Sequence, residues 1–197
     1  AMNNSLVNDL WRKIAGIDKR LQRQEAQEKA NVAVWDDLVM PLVSTMRGAT
    51  AKPDYDYTNM GMLFPQNNAT EIVYITVQMP HCWAQGTRIY PHLHFRRTSS
   101  AIPKFYISYS WTNIGDAIAA FSAAMLLDTF TPTYSAGSIH QIAYPSREID
   151  SVGKTISSIL NIKLYRNDNA VTGDVLAYQF DIHYLKDSHG SRQEYVK

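Results

Sequence analysis

The period of the apolar pattern changes once along this chain, and that change constrains the fold more than any other feature. Near the start, Val7, Leu10, Ile14, Ile17 and Leu21 recur at spacings of three, four, three and four, which lines them along one seam of an α-helix. Arg12, Lys13, Asp18, Lys19, Arg20, Gln22 and Arg23 fall between them and suit water-facing sides. One helix cannot bury such a seam alone. The spacing predicts a coiled-coil-like helix over residues 1–33 that serves as an oligomerisation or docking arm. The alternative is an amphipathic helix lying back on its own β domain. Gln24 and Glu28 occupy the continuation of the seam, so the apolar pattern ends after little more than two heptads. Asn4 or Ser5 is suited to cap the start, and Gly16 is a weak point inside.

From Glu71 the period is two. Val73, Ile75 and Val77 share one face of a strand over 71–79, and Leu93 and Phe95 share one over 88–97. Phe105, Ile107, Tyr109 and Trp111 align over 104–112, and Leu160, Ile162 and Leu164 over 157–166. Leu176, Tyr178, Phe180, Ile182 and Tyr184 align over 174–186, opposite Gln179, Asp181 and His183. Long, aromatic-rich alternating strands predict a mainly β protein, an antiparallel β-sandwich of jelly-roll type over 34–197. The expected core is Val73, Ile75, Val77, Leu93, Phe95, Phe105, Ile107, Tyr109, Leu160, Ile162, Leu164, Phe180 and Ile182. Residues 118–127 read as strand or mixed structure, 140–143 as a short strand, and 48–68 as loops around a short strand.

Composition narrows the function classes. The formal net charge is +1 and the cations do not cluster in the β region, so nucleic acid is not an expected partner. A single cysteine, Cys82, excludes an intramolecular disulfide framework and a Cys-rich zinc module. No apolar run reaches transmembrane length, and the first residues lack the pattern of a signal peptide. The expectation is a protein that starts in a cytoplasm and does not insert in a membrane.

Few residues suggest chemistry. His92 and His94 stand two apart on a strand, so both imidazoles point to one side and are metal-ligand candidates. No carboxylate follows them, and Arg96 and Arg97 oppose a cation. One chain therefore offers few neighbouring ligands in sequence. Three copies around a three-fold axis would offer six imidazoles, enough for an octahedral transition metal; otherwise the histidines are plain surface or interface residues and no cofactor is expected. Asp181 and His183 share a strand face and suit acid–base work. No nucleophile elbow or phosphate-binding loop accompanies them, so an enzyme is not expected.

Several segments carry a resemblance. They are Trp35-Asp36-Asp37-Leu38, Met79-Pro80-His81-Cys82-Trp83-Ala84-Gln85-Gly86-Thr87, Pro91-His92-Leu93-His94-Phe95, Asn161-Ile162-Lys163-Leu164-Tyr165-Arg166, Val175-Leu176-Ala177 through Asp181-Ile182-His183-Tyr184, and Gly190-Ser191-Arg192-Gln193-Glu194 with Lys197. In this order they resemble a group of small proteins encoded in the structural-gene regions of tailed bacteriophages and prophages. The resemblance covers about residues 35–197. It implies a non-enzymatic virion structural protein of the head, collar or tail, assembled in the host bacterial cytoplasm. Its implied partners are further copies, as a homotrimer, and other virion proteins such as capsid, portal or tail. It supplies no catalytic residues. Two other readings stand beside it. One is a host-surface glycan-binding module using exposed Trp83, Tyr90 or Tyr106. The other is a cupin-like metalloenzyme centred on His92 and His94.

Overall fold

The described part of the protein, residues 4–31, 34–129, 139–145, 148–187 and 190 of a computed structural model, follows the change of period. Helix α1 spans Asn4–Asn31. The side chains of residues 11–24 are described, and all are exposed except at half-buried Gly16. Within the single chain the seam is therefore not packed on the β domain: Ile14, Ile17 and Leu21 are 39%, 48% and 50% exposed. The side chains of Val7 and Leu10 lie outside the described residues.

The rest is β. The strands are β1 (Val34–Pro41), β2 (Met46–Arg47), β3 (Asp54–Asp56), β4 (Gly61–Phe64), β5 (Asn68–Gln78), β6 (Tyr90–Arg97), β7 (Phe105–Thr112), β8 (Met125–Thr129), β9 (Ile139–Pro145), β10 (Ile159–Arg166) and β11 (Val175–Lys186). Every pairing is antiparallel. The ladder runs β2-β5-β10-β7-β8-β9-β6-β11-β4-β3, and β1 also pairs with β11. It curls so that β5, β10 and β7 face β9, β6 and β11 across one apolar layer, giving an antiparallel sandwich. Phe105 meets Phe64 edge-on and Phe95 at 5.6 Å between centroids, and Trp83 lies 5.6 Å from Trp111. The expected core residues are buried in this layer, except Tyr109, which is half-buried against it.

Several local readings need correction. The stretch from Val34 to Pro41, to which the sequence pattern assigns no element, forms β1, paired with β11 from Val34↔Lys186 to Pro41↔Gln179. Residues 48–68 hold two paired strands, β3 and β4, where one was expected. Residues 118–124 have no regular structure and are largely exposed, the strand beginning only at Met125. In β11 the register against β6 shifts between Ala177 and Gln179. That bulge flips the alternation. Ala177 is fully buried while Tyr178 is only half-buried, so Tyr178 does not continue the row of Phe180, Ile182 and Tyr184.

Candidate metal centre

The outer face of the sheet formed by β9, β6, β11 and β1 gathers the polar residues singled out above. On β6 the burial alternates, with Pro91, Leu93 and Phe95 inward and Tyr90, His92, His94 and Arg96 outward. Pro91 precedes the part of β6 that pairs with β9, so its missing N–H removes no rung on that side. Register then brings the chemistry together. Asp181 sits opposite His92 and His183 opposite Tyr90, while on the other side of β11 Asp37 sits opposite His183. Alternation with the buried Phe180, Ile182 and Tyr184 sets this parity, and the bulge before Gln179 lets Ala177 face inward as well.

Asp181 is the centre of the cluster. It is 3% exposed although it faces away from the core, since three imidazoles crowd over it. His94 Nε2 lies 3.2 Å from its Oδ1, and His183 Nε2 and His92 Nδ1 lie 3.6 and 3.9 Å from its Oδ2. Its Oδ1 is buried and accepts no well-aligned hydrogen bond among the described residues. The ring of His92 meets that of His183 edge-on at 4.0 Å between centroids. His183 Nε2 is also 2.6 Å from Asp37 Oδ1. Beyond, His94 Nδ1 and His140 Nε2 share a proton across 2.7 Å, with their rings stacked.

Burial first, then the neighbouring His183, pushes His92 down to about 4, although Asp181 pulls the other way. Its imidazole is neutral at pH 7 and keeps a lone pair to donate. Burial and then His94 also lower His140. Desolvation raises the Asp37 carboxyl against the pull of His183, and the charges of Asp181 and Asp36 add to the rise. Ligand atoms of His92, Asp181 and His183 all lie within 4.8 Å of one another. Two imidazoles and a carboxylate make a donor set suited to zinc or to a facial-triad transition metal with open positions.

Sequence reading named His92, His94, Asp181 and His183 but treated them as two separate pairs. The assumption that one chain supplies too few ligands near His92 is corrected by the β6–β11 register. Asp37 and His140 were missed as members of the cluster, because nothing local in the sequence says which strands become neighbours. Arg97 was expected to oppose a cation here. It shares the inward parity of Leu93 and Phe95 and donates to the carbonyls of Ser99 and Ser100. Arg96 stays on the histidine face.

The aromatic candidates separate too. Trp83 is fully buried, with Nε1 donating to Thr87 Oγ1 at 3.1 Å, so it is no exposed stacking platform. Tyr90 is half-buried against Trp35, edge-on at 5.5 Å, and Trp35 is exposed. Tyr106 stacks nearly parallel on Tyr165 at 5.6 Å, on the outer face of the opposite sheet. Cys82 Sγ contacts Tyr184 OH, which donates to Asp36. This network forms on the other side of β11 from the histidines.

No protein-family model matches the chain, and no curated protein sequence matches it. Two solved structures with some likeness come from xylanases. The CBM36-1 domain of a multidomain xylanase from the hindgut metagenome of Trinervitermes trinervoides is 9% identical with a TM-score of 0.43, covering 75% of this chain and 96% of that one. The CBM22-1 and GH10 modules of Clostridium thermocellum endo-1,4-β-D-xylanase 10B, complexed with xylohexaose, are 13% identical with a TM-score of 0.35. That match covers 85% of this chain and 28% of the other. Likenesses this slight carry no argument about what this chain binds. Among the described residues, no helix is long and apolar enough to cross a membrane.

Proposed function

We propose that this chain is a non-enzymatic structural component of a bacteriophage particle, which acts by symmetric assembly and by docking on other virion proteins. The observation that carries the assembly half is the state of α1. Its heptad-spaced Ile14, Ile17 and Leu21 are 39–50% exposed in the single chain, with Trp11 beside them 64% exposed. Burying an aliphatic side chain fully stabilises by about 1.5–3 kcal/mol, so half-exposed seam residues leave roughly 1 kcal/mol each unrealised. Parallel helices that meet along a three–four seam realise it without disturbing the sandwich. Three copies form a coiled-coil stalk that presents three jelly-roll-like β domains, and the remaining surfaces dock on capsid, portal or tail. The segment resemblance supports the virion half. Immuno-electron microscopy of the particle encoded by the surrounding genes tests it: labelling on purified virions is expected, and label confined to the host-cell lysate contradicts it.

A second reading, a host-surface glycan-binding module, draws on the stacked Tyr106 and Tyr165 pair, a flat aromatic face suited to a sugar ring. A glycan array separates the two, since the assembly reading expects no carbohydrate to bind.

A further inference from the structure

We propose that the outer face of the β6–β11 pair is an intrachain binding site for a divalent transition cation, ligated by His92, Asp181 and His183. Two ligands about 2.0–2.1 Å from a tetrahedral centre stand roughly 3.3 Å apart. His183 Nε2 and His92 Nδ1 already stand 3.6 and 3.9 Å from Asp181 Oδ2, so small rotations of two imidazoles close the site. The strands that hold these residues are paired rung by rung and need not move.

The buried carboxylate is the second, independent sign. Asp181 is 3% exposed, and Oδ1 accepts no well-aligned hydrogen bond among the described residues. Keeping a carboxylate in such a place is costly without a compensating charge. A divalent cation supplies that charge. Asp37, 2.6 Å from His183 Nε2, adds a second carboxylate at the edge of the site. Two carboxylates then balance the two charges of the ion. His94, 3.2 Å from Asp181 Oδ1, is not a ligand but a positioning residue: a ring rotation that aligns Nε2–H with Oδ1 orients the carboxylate from outside the coordination shell. This site needs no symmetry axis and is independent of the trimer.

The test is titration of the chelator-treated, full-length protein with Co²⁺ and with Zn²⁺, followed by calorimetry and by the visible absorption of Co²⁺. One ion per chain is expected. Asp181→Asn keeps the side chain's shape and His183→Gln changes a partly exposed residue, so both should fold. Both are expected to abolish the Co²⁺ spectrum and weaken binding by more than about 100-fold. His94→Ala is expected to weaken binding by about 10–100-fold while the spectrum keeps its form. Absence of binding, or binding unchanged in a folded Asp181→Asn, overturns the proposal. So does one ion per three chains that disappears with His94→Ala, the result expected of a six-imidazole axial site.

Discussion

Asp168→Ala should be the most damaging single substitution in the β domain outside the apolar core. Arg166, at the end of β10, is fully buried and its guanidinium is used on all sides. Nε donates to Asp168 Oδ2 at 2.7 Å, Nη1 donates to Gly173 O at 2.6 Å and Phe64 O at 3.2 Å, and Nη2 donates to Val171 O. Asp168 in turn accepts from the backbone N–H groups of Lys104, Ala170 and Val171. One ion pair thus ties β4, β10, the start of β7 and the loop before β11. Removing one partner of such a pair strands a buried charge and costs about 3–5 kcal/mol. The three abandoned N–H groups place Asp168→Ala toward the upper end of that range. That is a large share of the 5–15 kcal/mol typical of a domain. Urea denaturation followed by fluorescence should read it as a lower midpoint with an unchanged slope. Arg166→Met combined with Asp168→Ala should cost less than the sum of the single changes, because the second removes a charge the first has orphaned. Burial raises the Asp168 carboxyl, but Arg166 and the N–H donors outweigh it and hold it below its ordinary value. Its contribution is therefore present above the unfolded carboxyl pKa, near 4, and is lost as pH falls through the lower folded value. A loss below about 1 kcal/mol for Asp168→Ala would refute this reasoning.

Three further outcomes follow from the same geometry. Ile14→Asp puts a carboxylate in the helix seam and should raise the dissociation constant of the oligomer at least about tenfold, while the urea midpoint of the β domain stays put; calorimetry of dilution measures the first. Gly61→Ala would set a Cβ 2.7 Å from Ala177 O and from Leu176 Cδ1, and this overpacking should cost about 1–3 kcal/mol in thermal unfolding. Trp111→Phe removes the donor 2.8 Å from buried Ser158 Oγ and should cost about 1–3 kcal/mol in the same assay, since among the described residues that hydroxyl is then left with its own donation to Thr155 O.

The strands that sequence reading found share one property: strict alternation, which reports a half-buried pleat directly. β5, β6, β7 and β10 read out this way because each lies between two partners or packs one full face on the core. β1 did not. Asp36 and Asp37 interrupt its apolar residues and Pro41 ends it. It is a strand because β11 offers it an edge, and no local window contains that information. The Tyr178 bulge was equally hidden, and it turns Ala177 to the core in place of Tyr178. His92 and Asp181 each looked incomplete in their own strand. They form a cluster only through register between segments far apart in sequence. Helix α1 is the converse case. Its three–four spacing was plain, yet a single chain leaves open what covers it.

The proposed covering partner is a second and third copy of α1. Light scattering coupled to size-exclusion chromatography, on the intact chain at micromolar concentration, measures it directly. The expected mass is three times the 22.3 kDa of one chain, falling toward one chain in Ile14→Asp. A mass of 22.3 kDa for the unsubstituted protein would contradict self-association through α1.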